Sequence, residues 1–264
     1  MGGDYKYNSD GRLCVGCKTY IKEALSRVEN WFGKIEKSNV KVTHGDHPEE
    51  DKSEFLSDSD HKRYQALIGM LVWLVITGRL DLTFVTSSLS RLVAAPRQGH
   101  LKRALKVFSY LKKRPNQRIV VDSSNPDFLE SGDAMDQNFT KILEGRYPWA
   151  KEEIDPDLPE PLVDEIAITC FVDSDFGHDT KTRRSISGIL IFIGRTPVFW
   201  KSKRQGAIAT STYSAEFCAM GVAIEEVQNM RYMLRSFGIR VVYATPVLGD
   251  NKGFFKIVRL MIVL

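Results

Sequence analysis

Cysteine is scarce in this chain: Cys14, Cys17, Cys170 and Cys218 are the four it has in 264 residues. Two of them, Cys170 and Cys218, lie inside apolar patterns, so a reducing compartment is expected and a disulfide framework is not. Cys14-Val-Gly-Cys17 has the spacing of half a zinc site or a redox motif. No second CxxC and no paired histidines follow at finger spacing, which favours plain structural thiols. Long apolar runs are lacking too. The two longest, 66–76 and 257–264, are too short to span a bilayer, and residues 1–10 are polar and glycine-rich where a secretory signal needs an apolar core. These absences predict a soluble, intracellular protein, cytoplasmic or nuclear, with no membrane partner. Nor does one sign of charge dominate: 37 Lys and Arg against 33 Asp and Glu give +4 with histidine neutral. That balance permits a nucleic-acid partner without demanding one.

What is present suffices for a real core, since 43% of the residues are hydrophobic; the length allows one large domain or two modest ones. Residues 17–32 read as a helix with Tyr20, Ile21, Ala24, Leu25, Val28 and Phe32 on one stripe, ended by Gly33. The polar segment 38–60 is a connector whose His44 and His47 read as exposed loop residues rather than ligands. Helices follow over 61–77, 80–94 and 100–113, with Gly78 and Ala95-Pro96 as breakers. The last of these sets Lys102, Arg103, Lys106, Lys112 and Lys113 around its apolar face. After a short strand candidate at 118–121, residues 122–165 turn rich in Asp, Glu, Asn, Ser and Pro. They read as a partly disordered acidic linker that contains the domain boundary.

The stretch Ile166-Ala-Ile-Thr-Cys-Phe-Val-Asp173-Ser-Asp175 is apolar on both faces and ends in acids, the pattern of a strand in the middle of a sheet with Asp173 at its carboxyl end. Residues 185–193 and 198–202 are strand-like and are joined through Gly194-Arg-Thr-Pro197, which suits a hairpin; together the three make an antiparallel meander. Residues 215–237 form a long helix with Ser211, Thr212 and Ser214 as cap candidates and Gly238 as its stop. On this reading Glu216 falls in the first helical turn, where an acid suits the helix dipole. Val247 and Leu248 are placed in a strand beside the first, with Asp250 closing it.

Each acid alone has an ordinary explanation: Asp173 as a turn residue, Glu216 as a dipole partner, Asp250 in a Gly-Asp-Asn turn. Their order on three successive elements favours a joint reading, in which three carboxylates meet at one sheet edge as a site for hard divalent ions. Asp175 is assigned a supporting or turn-forming place.

Phe171-Val-Asp-Ser-Asp175, Arg183-Arg-Ser-Ile-Ser-Gly188, Phe199-Trp-Lys-Ser-Lys203, Ser211-Thr-Tyr-Ser-Ala-Glu216 and Asp250-Asn251 resemble, in content and order, the blocks of the ribonuclease H domain of copia-type LTR retrotransposon polyproteins. Upstream, Tyr64-Gln-Ala-Leu-Ile-Gly69, Arg79-Leu-Asp-Leu82, Leu89-Ser-Arg91 and Val107-Phe-Ser-Tyr-Leu-Lys112 are similar to the connection between reverse transcriptase and that domain. Gly16-Cys-Lys-Thr-Tyr-Ile21 is similar to the end of the polymerase thumb.

The resemblance implies an α/β fold: a ribonuclease H-like mixed sheet flanked by helices, preceded by a mainly helical connection region. The domains expected are 1–60, a thumb remnant and linker; 61–121, the connection; 122–165, the acidic linker; and 166–264, a ribonuclease H-like domain truncated at its C-terminus, without a fifth strand or a fourth acid.

The activity implied is hydrolysis of the RNA strand of an RNA–DNA hybrid with two Mg2+ ions, or Mn2+ in their place, held by Asp173, Glu216 and Asp250. Ser174, Lys201, Lys203, Arg204, Ser214 and Asn251 are the implied nucleic-acid contacts. With no palm ahead of Met1, polymerase activity is not expected, and the missing polymerase part of the polyprotein is an expected partner. A catalytically inactive retroelement remnant, at most binding nucleic acid, is the alternative. An integrase or transposase fits the acid pattern less well.

Overall fold

A strand paired on one side with the next strand of the chain and on the other with a strand about 70 residues further on organises the second half of the protein. The computed structural model describes residues 3–41, 45–124, 166–239, 241 and 245–250, and the backbone of Met261–Ile262. Most of the acidic linker, 125–165, and Asn251 lie outside the described residues. The chain divides into two units: Met1–Val121 with Gly177–Arg184 and Ser202–Arg204, and Asp122–Phe176 with Ser185–Lys201 and Gln205–Leu264.

The first unit holds helices α1 (Lys18–Phe32), α2 (Asp58–Ile76), α3 (Thr83–Ser90) and α4 (Gln98–Lys113). Ile21, Ala24 and Val28 of α1 share one core with Leu67, Leu71 and Leu74 of α2 and Val107, Phe108 and Leu111 of α4. Residues on both sides of position 60 thus pack together. Helix α2 starts three residues before the expected 61, because Ser57 Oγ caps the Asp60 N–H at 3.3 Å and the first turn is polar.

A three-stranded antiparallel sheet, β1 (Asp4–Tyr7), β2 (Leu13–Gly16) and β3 (Arg118–Val120), completes this unit. Only β3 was expected. Tyr5 and Tyr7 are exposed on β1, so no apolar alternation marks the strand; backbone pairing and the Asn8 side chain, which accepts the Arg12 N–H at 2.8 Å, hold the hairpin. Cys14 and Cys17 are buried and free of disulfides. Cys17 Sγ lies 3.0 Å from Thr77 Oγ1, and burial raises its thiol pKa, the opposite of a redox or metal-binding cysteine.

Residues Gly177–Arg184 also belong to the first unit. Asp179, 2% exposed, accepts from Arg91 Nη1 at 2.9 Å, Arg204 Nη1 at 2.6 Å and the Thr182 N–H at 2.8 Å.

The second unit is built on β4 (Ile168–Asp175), β5 (Ile186–Ile193), β6 (Thr196–Arg204, its last three residues counted with the first unit), α5 (Thr212–Ser236), β7 (Thr245–Leu248) and β8 (Met261–Ile262). The strand order is β6-β5-β4-β7-β8. β4 pairs antiparallel with β5 and parallel with β7, so the sheet is mixed. Gly194, with φ 57°, opens the tight β5–β6 turn, and Pro197 falls on the edge strand β6, where proline is tolerated. Ile168, Cys170, Val172, Ile189 and Ile191 pack on Ala219, Met220, Ala223 and Val227 of α5. The fold is α/β.

Two expectations need correction. Phe171 is not buried on a second apolar face: it remains 39% exposed, edge-on to Phe192. A fifth strand is also present, since β8 pairs antiparallel with β7 through Thr245↔Ile262. Among the described residues no helix is long and apolar enough to cross a membrane.

Candidate metal centre

Parallel pairing sets Cys170 opposite Val247 and Phe171 opposite Leu248. Following the Cys170–Val247 pair three residues along each chain leads to Asp173 and Asp250. Helix α5 supplies Glu216. One carboxylate oxygen from each of the three lies within 4.8 Å of the others.

The helix begins earlier than expected. Ser211 is its N-cap, its Oγ accepting the Ser214 N–H at 3.0 Å, and Thr212 is its first residue. Glu216 therefore lies in the second turn, and the first turn holds no acid. The helix dipole fades beyond the first turn, so it no longer accounts for a carboxyl here. Asp173 likewise is not in a turn: β4 runs two residues past it, and it pairs with Gly188.

Three like charges this close oppose one another. The Glu216 carboxyl is raised above its ordinary value, first by burial and then by the charges of Asp173 and Asp250, with Ser174 acting the other way. Ser174 Oγ is buried and makes no well-aligned hydrogen bond among the described residues. An all-carboxylate set of this size matches the oxygen donors that Mg2+ and Mn2+ prefer and offers nothing to a soft metal.

The other expected contacts scatter. Ser174 adjoins the acids, its N–H donating to Asp173 Oδ1 at 2.7 Å. Ser214 sits in the first turn of α5, its N–H held by the cap. Lys201 is paired with Glu226 at 2.5 Å, and Arg204 with Asp179. Lys203 is exposed. Asp175 is the last residue of β4, opposite Ile186, and Asn251 lies outside the described residues.

Two residues that frame the acids were not singled out beforehand. Gly188 stands opposite Asp173, and a Cβ built there would meet only the Asp173 carbonyl oxygen, at 3.9 Å. Directly opposed residues share a sheet face, so a side chain at 188 would crowd the carboxylate. Gln205 donates through Nε2 to Ser187 Oγ at 3.0 Å and to the Ala215 carbonyl at 2.9 Å. It thus ties β5 to the helix one residue before Glu216. The glycine is marked in the sequence only as part of a motif, and the glutamine not at all.

Comparison with known proteins gives a consistent set. The chain is 23% identical over 195 residues, 74% of its length, to the retrovirus-related Pol polyprotein from transposon RE1 of Arabidopsis thaliana. A similar match, 23% over 194 residues, is to the Pol polyprotein from transposon RE2 of the same plant. It is also 22% identical over 232 residues, 86% of its length, to a putative transposon Ty5-1 protein of Saccharomyces cerevisiae. The chain spans 11% of the length of each Arabidopsis polyprotein and 60% of the yeast protein. No protein-family profile and no solved structure matches it. These similarities support a retroelement-derived protein.

Proposed function

We propose that this retroelement-derived chain hydrolyses the RNA strand of an RNA–DNA hybrid at Asp173, Glu216 and Asp250, with Mg2+ as the cofactor and Mn2+ as its substitute. The observation that carries the reading is the convergence of three carboxylates within 4.8 Å from a central strand, a helix and a second strand. Divalent ions held by these three carboxylates would supply positive charge that stabilises the attacking and leaving oxygens of a phosphodiester.

The chain's own part is to hold that charge in place. Asp173 is fixed by the β4 ladder, Asp250 follows β7 by two residues, and Glu216 is held by a capped helix packed on the sheet. Ser214, on the helix that bears Glu216, is the hydroxyl assigned here to a ribose 2′-hydroxyl, the group that separates RNA from DNA; Ser174 Oγ is buried and is not offered to a substrate. Lys203 is the exposed cation of its strand suited to a phosphate.

Incubation of the chain with a labelled RNA–DNA hybrid, with DNA and RNA duplexes as controls, tests this. Cleavage confined to the RNA of the hybrid, lost on chelation, is expected. Asp173→Asn should lower it by at least about 10²-fold, the scale on which one active-site group counts, with circular dichroism unchanged. Unaltered cleavage in that variant would falsify the assignment. Ion binding without cleavage would place the chain among inactive remnants.

A further inference from the structure

Strand β1 ends the sheet β1-β2-β3 of the first unit, and its pairing with β2 decides which backbone groups are left for another chain. The Asn8 N–H donates to the Arg12 carbonyl at 2.9 Å, and the Val121 N–H to the Leu13 carbonyl at 2.8 Å. Bonded and non-bonded pairs alternate along an antiparallel ladder. In the register Lys6↔Cys14 and Asp4↔Gly16 it is therefore Asp4 and Lys6 that turn their N–H and C=O toward β2. Tyr5 and Tyr7 turn theirs to the open side, where no strand among the described residues pairs with them. Their side chains stand out as well, 65% and 75% exposed. An open edge of this kind is a template for a further strand.

The charges on β1 fit a second copy of itself in one register. A ladder on the open side sets outward residues opposite outward ones, here Gly3, Tyr5 and Tyr7. A two-fold axis at Asp4 would put Asp4 against Asp4, and an axis at Lys6 would put Lys6 against Lys6. At Tyr7 the strand is spent after one bonded pair, because the chain turns at Asn8. An axis at Tyr5 gives three bonded pairs and sets each Asp4 opposite the Lys6 of the other copy, and opposite charges so placed attract where like charges repel. The lysine that ordinarily guards an edge here selects the register. Asp4 Oδ2 already accepts the Thr19 N–H at 2.9 Å. The bonds from Thr19 hold its carboxyl below the usual value, so it is charged at neutral pH, and a carboxylate has further acceptor positions. We propose that two copies of this chain join β1 to β1 antiparallel about a two-fold axis at Tyr5, forming one six-stranded sheet with two Asp4–Lys6 pairs across the seam. This contact does not depend on the role of the three acids.

Sedimentation equilibrium of the full chain tests it. A seam of one short strand is a small and therefore weak interface, so a dimer should build up over loadings from about 10 μM to about 1 mM. Lys6→Asp, a change at an exposed position, sets acids against one another and should weaken the dimer about tenfold or more, with the melting temperature in place. The register is read by single cysteines in a Cys218→Ser background, since Cys218 is the exposed one of the four thiols. Tyr5→Cys should form a disulfide between copies under mild oxidation, because directly bonded residues lie about 5.5 Å apart at Cα, within a disulfide's reach. Tyr7→Cys should not, its two copies being offset by four residues, about 13 Å along the strands. A chain that stays monomeric throughout, or a dimer indifferent to Lys6→Asp and so seated on another face, would overturn the proposal. Cross-linking through Tyr7→Cys in place of Tyr5→Cys would overturn it too.

Discussion

Asp173 on β4 faces Gly188 across the antiparallel ladder with β5. The residue with no side chain thus stands beside the carboxylate at the centre of the candidate site, and the open space is a built feature of the sheet.

Gly188→Val should therefore separate fold from site. The added Cβ has room, and a β-branched residue suits a strand, so thermal stability is expected to stay within about 1 kcal/mol. Hybrid cleavage and the stabilisation given by Mg2+ should both fall sharply as the valine crowds Asp173. Calorimetry with and without Mg2+, beside the cleavage assay, reads both; wild-type ion response in this variant would detach Gly188 from the site.

Ion binding should depend on pH through Glu216. Its carboxyl is raised chiefly by burial and by its two acidic neighbours. A raised carboxyl contributes stability that is complete below the unfolded value, about 4.3, and disappears as pH rises through the folded value. The metal-free unit is thus expected to lose stability as Glu216 ionises. Divalent ions need the ionised form, so the rise in Tm that Mg2+ gives should be absent near pH 4 and grow as pH passes above the raised value. A rise of equal size at pH 4 and pH 8 would contradict this.

Gln205 is the positioning residue to test. Gln205→Leu keeps the bulk but removes the bonds to Ser187 and Ala215, at a cost of about 1–2 kcal/mol. If the bonds position the helix, kcat should fall by about tenfold with KM little changed, and the apparent Mg2+ affinity should weaken. A loss of stability alone, with kcat intact, would make Gln205 purely structural.

In the first unit, Asp179 is a stabilising acid. Burial alone would raise its carboxyl, but the Thr182 backbone N–H and Arg204 outweigh it and hold the group at about 2. Such a depressed group contributes stability that is present above the unfolded value, about 3.9, and is lost as pH falls through the folded one. Asp179→Ala, which leaves Arg91 and Arg204 without their shared acid, should cost about 3 kcal/mol at pH 7. Thermal melts should show the gap between variant and wild type narrowing below pH 4 and continuing to shrink as pH falls through about 2.

The elements legible in the sequence are those with an apolar stripe. Helix α4 and strand β4 declare themselves through Leu101, Ala104, Val107 and Phe108, and through Ile168, Cys170 and Val172, because burial forces a period on them. Strands β1 and β2 do not, since backbone pairing holds them while Tyr5 and Tyr7 face outward. The first turn of α5 is polar, so the apolar pattern places the helix start late and puts Glu216 in the wrong turn. The acids themselves are readable from the resemblance and from their place on successive elements. Gln205 is not, because a single side chain bonding to distant partners leaves no local signature.

The parallel join of β4 to β7 links residues 77 positions apart, from Cys170 to Val247, whereas β4 meets β5 through a connection of ten residues, 176–185. Distant pairings must meet the loss of chain entropy before their contacts return anything, and they form slowly. Asp173 and the helix bearing Glu216 can gather while Asp250 is still far away. On this ground the third acid is expected to join the other two late, so that readiness to bind a divalent ion follows the closing of the parallel join.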